Sequence, residues 1–200
     1  YSAAEGLGPT FNENSCLSCH DKPVALGRGG KKQKTIILGS GVRESLGDAQ
    51  YAGIMSRHTQ RLPGAPPQVV PEIMKTLGGR RPPSLRGLGW METVPAEQVI
   101  AGSFCEKPVT PGDKICGWVT LKEDRASGSH RFGIKLPTSS LDEFVASAFF
   151  LEMGITTTYP GFHEDSDDIP DPEVSDEVVV DIANYIALSQ PPKAGPEDRE

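Results

Sequence analysis

Cys16-Leu17-Ser18-Cys19-His20 is the stretch of this 200-residue chain whose residue types and spacing prescribe a chemistry. It has the form C-x-x-C-H. Two thiols three positions apart at a helix end can add to the two vinyl groups on one edge of a porphyrin, and the next residue can turn its imidazole to the iron. Cys16 and Cys19 then hold one covalent haem c, with His20 as the proximal ligand. A thioredoxin-like redox pair, half of a zinc site and a structural disulfide compete for the same residues. A redox pair expects a preceding strand in a βαβ setting. Zinc needs further ligands at comparable spacing, which Cys105 and Cys116, with ten residues between them, do not supply.

The second axial position separates a carrier from a catalyst. A thioether there raises the potential, a second imidazole generally lowers it, and an open position can bind peroxide or another small molecule. Met91 is the first candidate, in Gly87-Leu88-Gly89-Trp90-Met91; Met153, at the end of the clearest helix, and His58, in an early loop beside Met55, are the alternatives. Met74 sits on an apolar stripe, where core packing explains it better. Arg80, Arg81 and Arg86 can pair with haem propionates, because a planar fork of donors suits a carboxylate; Arg80, which leads the Arg-x-x-Pro segment, is favoured. Trp90 can pack on the porphyrin. Asp165, Asp167, Asp168 and Asp171 match no EF-hand loop and read as a solvated acidic loop.

These residues need elements to position them. Thr10 and Glu13 have capping-box spacing, which predicts a short helix over 10–17 leading into the motif. Residues 21–68 are rich in Gly, Pro, Lys and Arg and read as loop, with a strand suggested only at 35–38. Val70, Ile73, Met74 and Leu77 fall at i, i+3, i+4 and i+7, so a helix is predicted over 70–77, stopped by Gly78. Another is predicted over 95–101, and 102–139 reads as a long polar excursion. Ser140 and Glu143 open a helix over 140–153 that Gly154 ends. Ser175 caps a last helix with Asp176 and Glu177 in its first turn, stopped by Pro191 and Pro192. The expected architecture is mainly α, one domain over 1–190 with insertions at 21–68 and 102–139, then a polar tail at 191–200.

Composition fits a core built around a cofactor. Aromatics are only 6% of the chain, and Gly 22 with Pro 18 make a fifth of it, so a buried macrocycle would give short helices an apolar surface to pack on. No apolar run approaches the roughly 18 to 20 residues of a membrane span. A net charge of −7 argues against binding nucleic acid or an anionic membrane. That charge is uneven, with 12 Lys+Arg against 8 Asp+Glu in residues 1–100 and 8 against 19 in residues 101–200. Haem is attached to cytochromes c outside the cytoplasm, so a periplasmic or extracellular location is expected. Cys105 and Cys116 then read as a disulfide. Tyr1 is read as following either a removed signal segment or a cut in a longer chain.

Several blocks in order resemble the bacterial di-haem oxidoreductase family, whose members are related to di-haem cytochrome c peroxidases and are also described as thiol oxidoreductases. They are Gly6-Leu7-Gly8-Pro9-Thr10-Phe11-Asn12 with the C-x-x-C-H run, Pro83-Ser84-Leu85-Arg86-Gly87-Leu88-Gly89-Trp90-Met91-Glu92, Arg131-Phe132-Gly133-Ile134-Lys135, Phe149-Phe150-Leu151-Glu152-Met153-Gly154-Ile155-Thr156, and Pro172-Glu173-Val174-Ser175-Asp176-Glu177. The likeness covers nearly the whole chain. The final helix, Asp181-Ile182-Ala183-Asn184-Tyr185-Ile186-Ala187-Leu188, looks like the C-terminal helix of class I cytochromes c. This resemblance implies a class I-like haem domain. The family also carries a second C-x-x-C-H that this sequence lacks, so a mechanism using two haems does not carry over. The expected function is single-electron transfer with redox protein partners, other haem subunits among them. The runners-up are a peroxidase-like oxidoreductase with an open distal site and a haem subunit of a larger assembly.

Overall fold

A computed structural model describes residues 1, 6–8, 10–30, 35–40, 54–55, 58–59, 74–101, 129–133, 138–164 and 169–192. Its elements in order are β1 (Thr10–Phe11), α1 (Cys16–Cys19), β2 (Thr35–Ser40), β3 (Ile54–Met55), β4 (His58–Thr59), β5 (Met74–Arg80), α2 (Leu88–Glu92), α3 (Ala96–Ala101), α4 (Leu141–Ala148), a π-helical turn (Phe149–Met153) and α5 (Asp176–Ala187). Helix accounts for more of the described residues than strand, as a mainly α chain requires. The chain forms two compact units, residues 1–85 with 146–182 and residues 86–145 with 183–200.

In the first unit, β1 pairs antiparallel with β4, and β2 lies between β3 and β5 in a second, antiparallel sheet. Thr35, Ile36 and Ile37 are β-branched and favour the pleated backbone of β2. The predicted strand at 35–38 therefore stands, two residues longer, while 21–68 holds more strand than a loop reading allows. The helix expected over 70–77 is corrected: residues 70–73 lie outside the described residues, and 74–80 form β5. Thr76, Gly78 and Gly79 are poor helix formers, and pairing with β2 gives the backbone donors partners that a local periodicity cannot foresee. Register shifts between Ile37 and Leu38, which face Gly78 and Thr76, so Leu77 is an extra residue in a β-bulge.

The helix expected over 10–17 is also corrected. Residues 10 and 11 are the strand β1, and Ser15, not Thr10, caps α1, its hydroxyl accepting from Leu17 N at 3.3 Å. Asn12 explains the change: it is buried, its backbone N–H donates to Glu152 O at 2.7 Å, and its amide donates to the Glu152 carboxylate. Those bonds hold residues 10–12 along the π-helical turn, and Gly8 N donates to Met153 O at 3.0 Å. The core of this unit gathers Leu7, Leu26, Leu85, Phe149, Ile155 and Val179, with Tyr1 edge-on to Phe149.

The helix predicted over 140–153 is α4 followed by the π-helical turn. Its cap differs by one residue from a capping box: Ser140 Oγ accepts from Glu143 N, but the Glu143 carboxylate accepts from Ser139 N and Oγ, each at 2.9 Å. Gly154 ends the turn in the left-handed conformation at φ 62°, its N–H and that of Ile155 closing on Phe150 O and Phe149 O. The acidic loop is not wholly solvated. Asp171 and Glu173 both accept from the buried Thr156 hydroxyl, and Thr156 N also donates to Glu173; Asp165, Asp167 and Asp168 lie outside the described residues.

The second unit is organised by Phe132, which is buried and stacks on Phe144, and by Leu141, Val145, Ala183 and Ile186. Phe132 pairs with Thr138. At α2, Gly89 is required by proximity: a Cβ there would stand 2.4 Å from the carbonyl oxygen of Ala187, a backbone atom that cannot yield. The predicted helix at 95–101 is α3, and the Ser175 start for the last helix holds, with Val178 N and Val179 N donating to Ser175 O.

Candidate functional site

α1 is a single turn, so Cys16 and Cys19 project from one face of it. Both are thiols, with no disulfide joining them. Although Cys16 is exposed as a residue, protein crowds its thiol, and that desolvation pushes its pKa up. The hydrogen bond of the Cys16 backbone opposes the rise and the Glu152 carboxylate adds to it, so the thiol stays protonated at neutral pH. His20 is the C-cap of α1, and its backbone N–H closes on Cys16 O at 2.9 Å.

The imidazole of His20 is fixed by a residue far along the chain. Its Nδ1 lies 2.8 Å from Pro83 O. A carbonyl can only accept, so Nδ1 carries the proton and Nε2 the lone pair. Burial pushes the His20 pKa down, the carbonyls of Pro83 and Gly27 working against it, and the neutral ring is the form that can ligate a metal.

Residues 21–30 hold Pro83 in place. Lys22 and Arg28 exchange backbone bonds at 3.0 and 2.7 Å and fold the loop back on itself. From it, Gly29 N donates to Pro82 O, and Leu26 O accepts from Leu85 N, both at 2.9 Å. A Cβ on Gly29 would meet Pro82 Cδ at 2.5 Å and Cys19 O at 3.0 Å. Gly29 therefore allows the end of α1 and the Pro82-Pro83 pair to close on each other.

The other predicted residues are distributed as follows. Within the first unit, His58 lies in β4 opposite Phe11, Arg80 ends β5, and Met153 closes the π-helical turn with only 3% of its surface exposed. Trp90 and Met91 belong to α2 in the second unit, 67% and 40% exposed. Arg86 directs its Nε to Gln190 O at 3.1 Å, and Arg81 is exposed. Cys105 and Cys116 lie outside the described residues. Sequence reasoning missed Asn12, Glu152 and Gly29. Only Gly29 left a signal, as one of the glycines soon after His20.

The arrangement fits haem c. It presents two thiols on one helical face, followed by a neutral imidazole whose tautomer a carbonyl sets, the outer-shell support that ligating histidines use. The described elements bear on the redox-pair use. β1 is two residues long and antiparallel to β4, unlike the βαβ setting of a redox pair. Among the described residues no three His, Cys, Asp or Glu side chains are grouped to hold a metal ion, and no helix is long and apolar enough to cross a membrane. Comparison with family models, curated proteins and solved structures gives no match.

Proposed function

We propose that this chain is a class I-like c-type cytochrome domain working outside the cytoplasm, where it transfers single electrons through one covalently bound haem c. The observation that carries the reading is the conjunction of Cys16 and Cys19 on one turn of α1 with a His20 ring whose Nδ1 is held 2.8 Å from Pro83 O. Cys16 and Cys19 would hold the haem through thioethers, each the addition product of a thiol and a vinyl group, which keeps the thiol proton and needs no oxidant. When bound, the haem supplies an iron that cycles between ferric and ferrous states. His20 Nε2 would ligate the iron, with Pro83 O holding the ring in the tautomer that leaves Nε2 its lone pair.

Met91 is proposed as the residue that would supply the iron with a second protein ligand. Met153, which is buried, and His58 are the alternatives. Arg80 is assigned to a propionate and Trp90 to packing on the porphyrin. The resemblance to di-haem oxidoreductases supports redox proteins, including haem subunits, as partners.

Protein made with a haem-attachment system should give the alkaline pyridine spectrum of haem c, a mass increase of one haem, and a sharp low-spin α band on reduction. Cys16→Ser should lose the thioether at that position, and His20→Ala the low-spin spectrum. Absence of covalent haem overturns the reading. A high-spin ferric spectrum that changes on adding peroxide replaces the carrier by a peroxidase-like domain.

A further inference from the structure

Among the described residues, Leu26 is the one non-glycine residue with a left-handed backbone, at φ 60°. A residue with a side chain enters that region at a cost, and the strain persists only where the surrounding structure holds it. Burial of the leucine side chain, which is 5% exposed, contributes to holding it. What the left-handed backbone places, however, is a carbonyl. Leu26 O accepts twice, from Leu85 N at 2.9 Å and from Ser84 Oγ at 3.3 Å.

The next residue closes the loop on itself. Gly27 N donates to Val24 O at 2.9 Å, and a Cβ on Gly27 would lie 2.0 Å from Lys22 O, so only glycine fits there. The Gly27 carbonyl in turn bonds to the His20 ring. Two segments of the first unit therefore meet on one imidazole, and Leu26 belongs to both contacts. Its carbonyl holds residues 84 and 85, directly after Pro83, whose oxygen lies 2.8 Å from His20 Nδ1. Its φ sets the course of the chain into Gly27.

We propose that Leu26 is a positioning residue for His20: its left-handed backbone fixes the Pro83 and Gly27 carbonyls on the ring and so sets the strength of the hydrogen bond that Nδ1 donates. This rests on the reading of His20 as the residue that would ligate the haem iron. A stronger bond from Nδ1 makes the imidazole a better donor at Nε2, which favours ferric over ferrous iron. Loosening the Leu26 turn weakens that bond.

The test uses the full haem-loaded chain with Leu26→Ile and Leu26→Gly. Isoleucine keeps the size and apolar character of the side chain, but its branched Cβ resists the left-handed region. Glycine enters that region freely and leaves the core without the side chain. The measurements are solvent exchange of the His20 Nδ1 proton and the Leu85 amide, read by NMR in the reduced protein, together with the reduction potential and the urea midpoint. L26I should speed both exchanges about tenfold and raise the potential. L26G should lower the urea midpoint and keep the potential and Nδ1 exchange of wild type. Faster Leu85 exchange in L26I with wild-type Nδ1 exchange and potential overturns the proposal and leaves the ligand reading standing. So do changes in Nδ1 exchange and potential that are as large in L26G as in L26I, which assign the effect to the buried side chain. If L26G does not fold, L26I decides: a raised potential with faster Nδ1 exchange supports the proposal, and wild-type values overturn it. A chain that takes up no covalent haem overturns the ligand reading, and the proposal with it.

Discussion

At the residue scale, Glu152 ties the motif to the rest of its unit and leaves a mark on pH dependence. Its pKa is raised, first by burial, with the hydrogen bond from Asn12 working the other way. The folded chain therefore keeps a proton at pH values where the unfolded chain has released it. The resulting stabilisation is complete below the unfolded carboxyl range and is lost as pH rises through the folded value. Glu152→Gln keeps an acceptor for Asn12 and carries no charge. It should match wild type at low pH and be the more stable protein at neutral pH, the gap in urea midpoint opening as pH increases. A gap that stays constant across pH would mean that Glu152 binds its proton equally well in the folded and the unfolded chain. His20 follows the same logic with opposite charge: burial favours its neutral form, which is the form that binds metal.

At the element scale, the site depends on a short α1 being met by the loop at 21–30 and by residues 82–85. Gly29 is where that meeting is closest. Gly29→Ala places a methyl 2.5 Å from Pro82 Cδ, a ring atom on a stiff backbone. Such overpacking costs about 1 to 3 kcal/mol, and relief by moving Pro82 also moves the Pro83 carbonyl off His20. The expected outcome is a lower urea midpoint together with a changed proximal spectrum in haem-loaded protein. A lower midpoint with an unaltered spectrum would show that the carbonyl is held without Gly29. Elements also explain what a linear reading could and could not see. Gly154, Ser175 and the start of α3 were legible because caps are local: the residue that ends or begins the helix is its own signal. The strand at 74–80 was not, because its partner β2 lies more than thirty residues earlier, and strand formation is decided by that partner.

At the scale of the molecule, the net charge of −7 sets how small charged reagents approach. A field of that sign concentrates cations, and salt screens it over about 10 Å at 0.1 M. Reduction of the haem-loaded protein by a small cationic complex should therefore slow as sodium chloride is added, while reduction by an anionic complex should quicken, both followed by stopped-flow absorbance. The opposite pair of trends would mean that the cationic excess of residues 1–100, where the C-x-x-C-H motif lies, governs approach. The second unit adds exposed apolar side chains, Trp90, Tyr185 and Leu188 among them, to that charged surface.

The sequence by itself determined the C-x-x-C-H run, the helix ends at Gly154 and Ser175 and the predominance of helix, because each is written within a few consecutive residues. Tertiary structure decided the rest. Pro83, 63 residues from His20, sets the imidazole tautomer; Glu152, 140 residues from Asn12, turns a predicted helix start into a strand; Arg131 holds the end of a helix some 40 residues before it. Each of these is a backbone or side-chain donor meeting its acceptor across the fold. A buried polar group must find such a partner wherever the chain brings one, and spacing along the sequence carries no trace of where that will be.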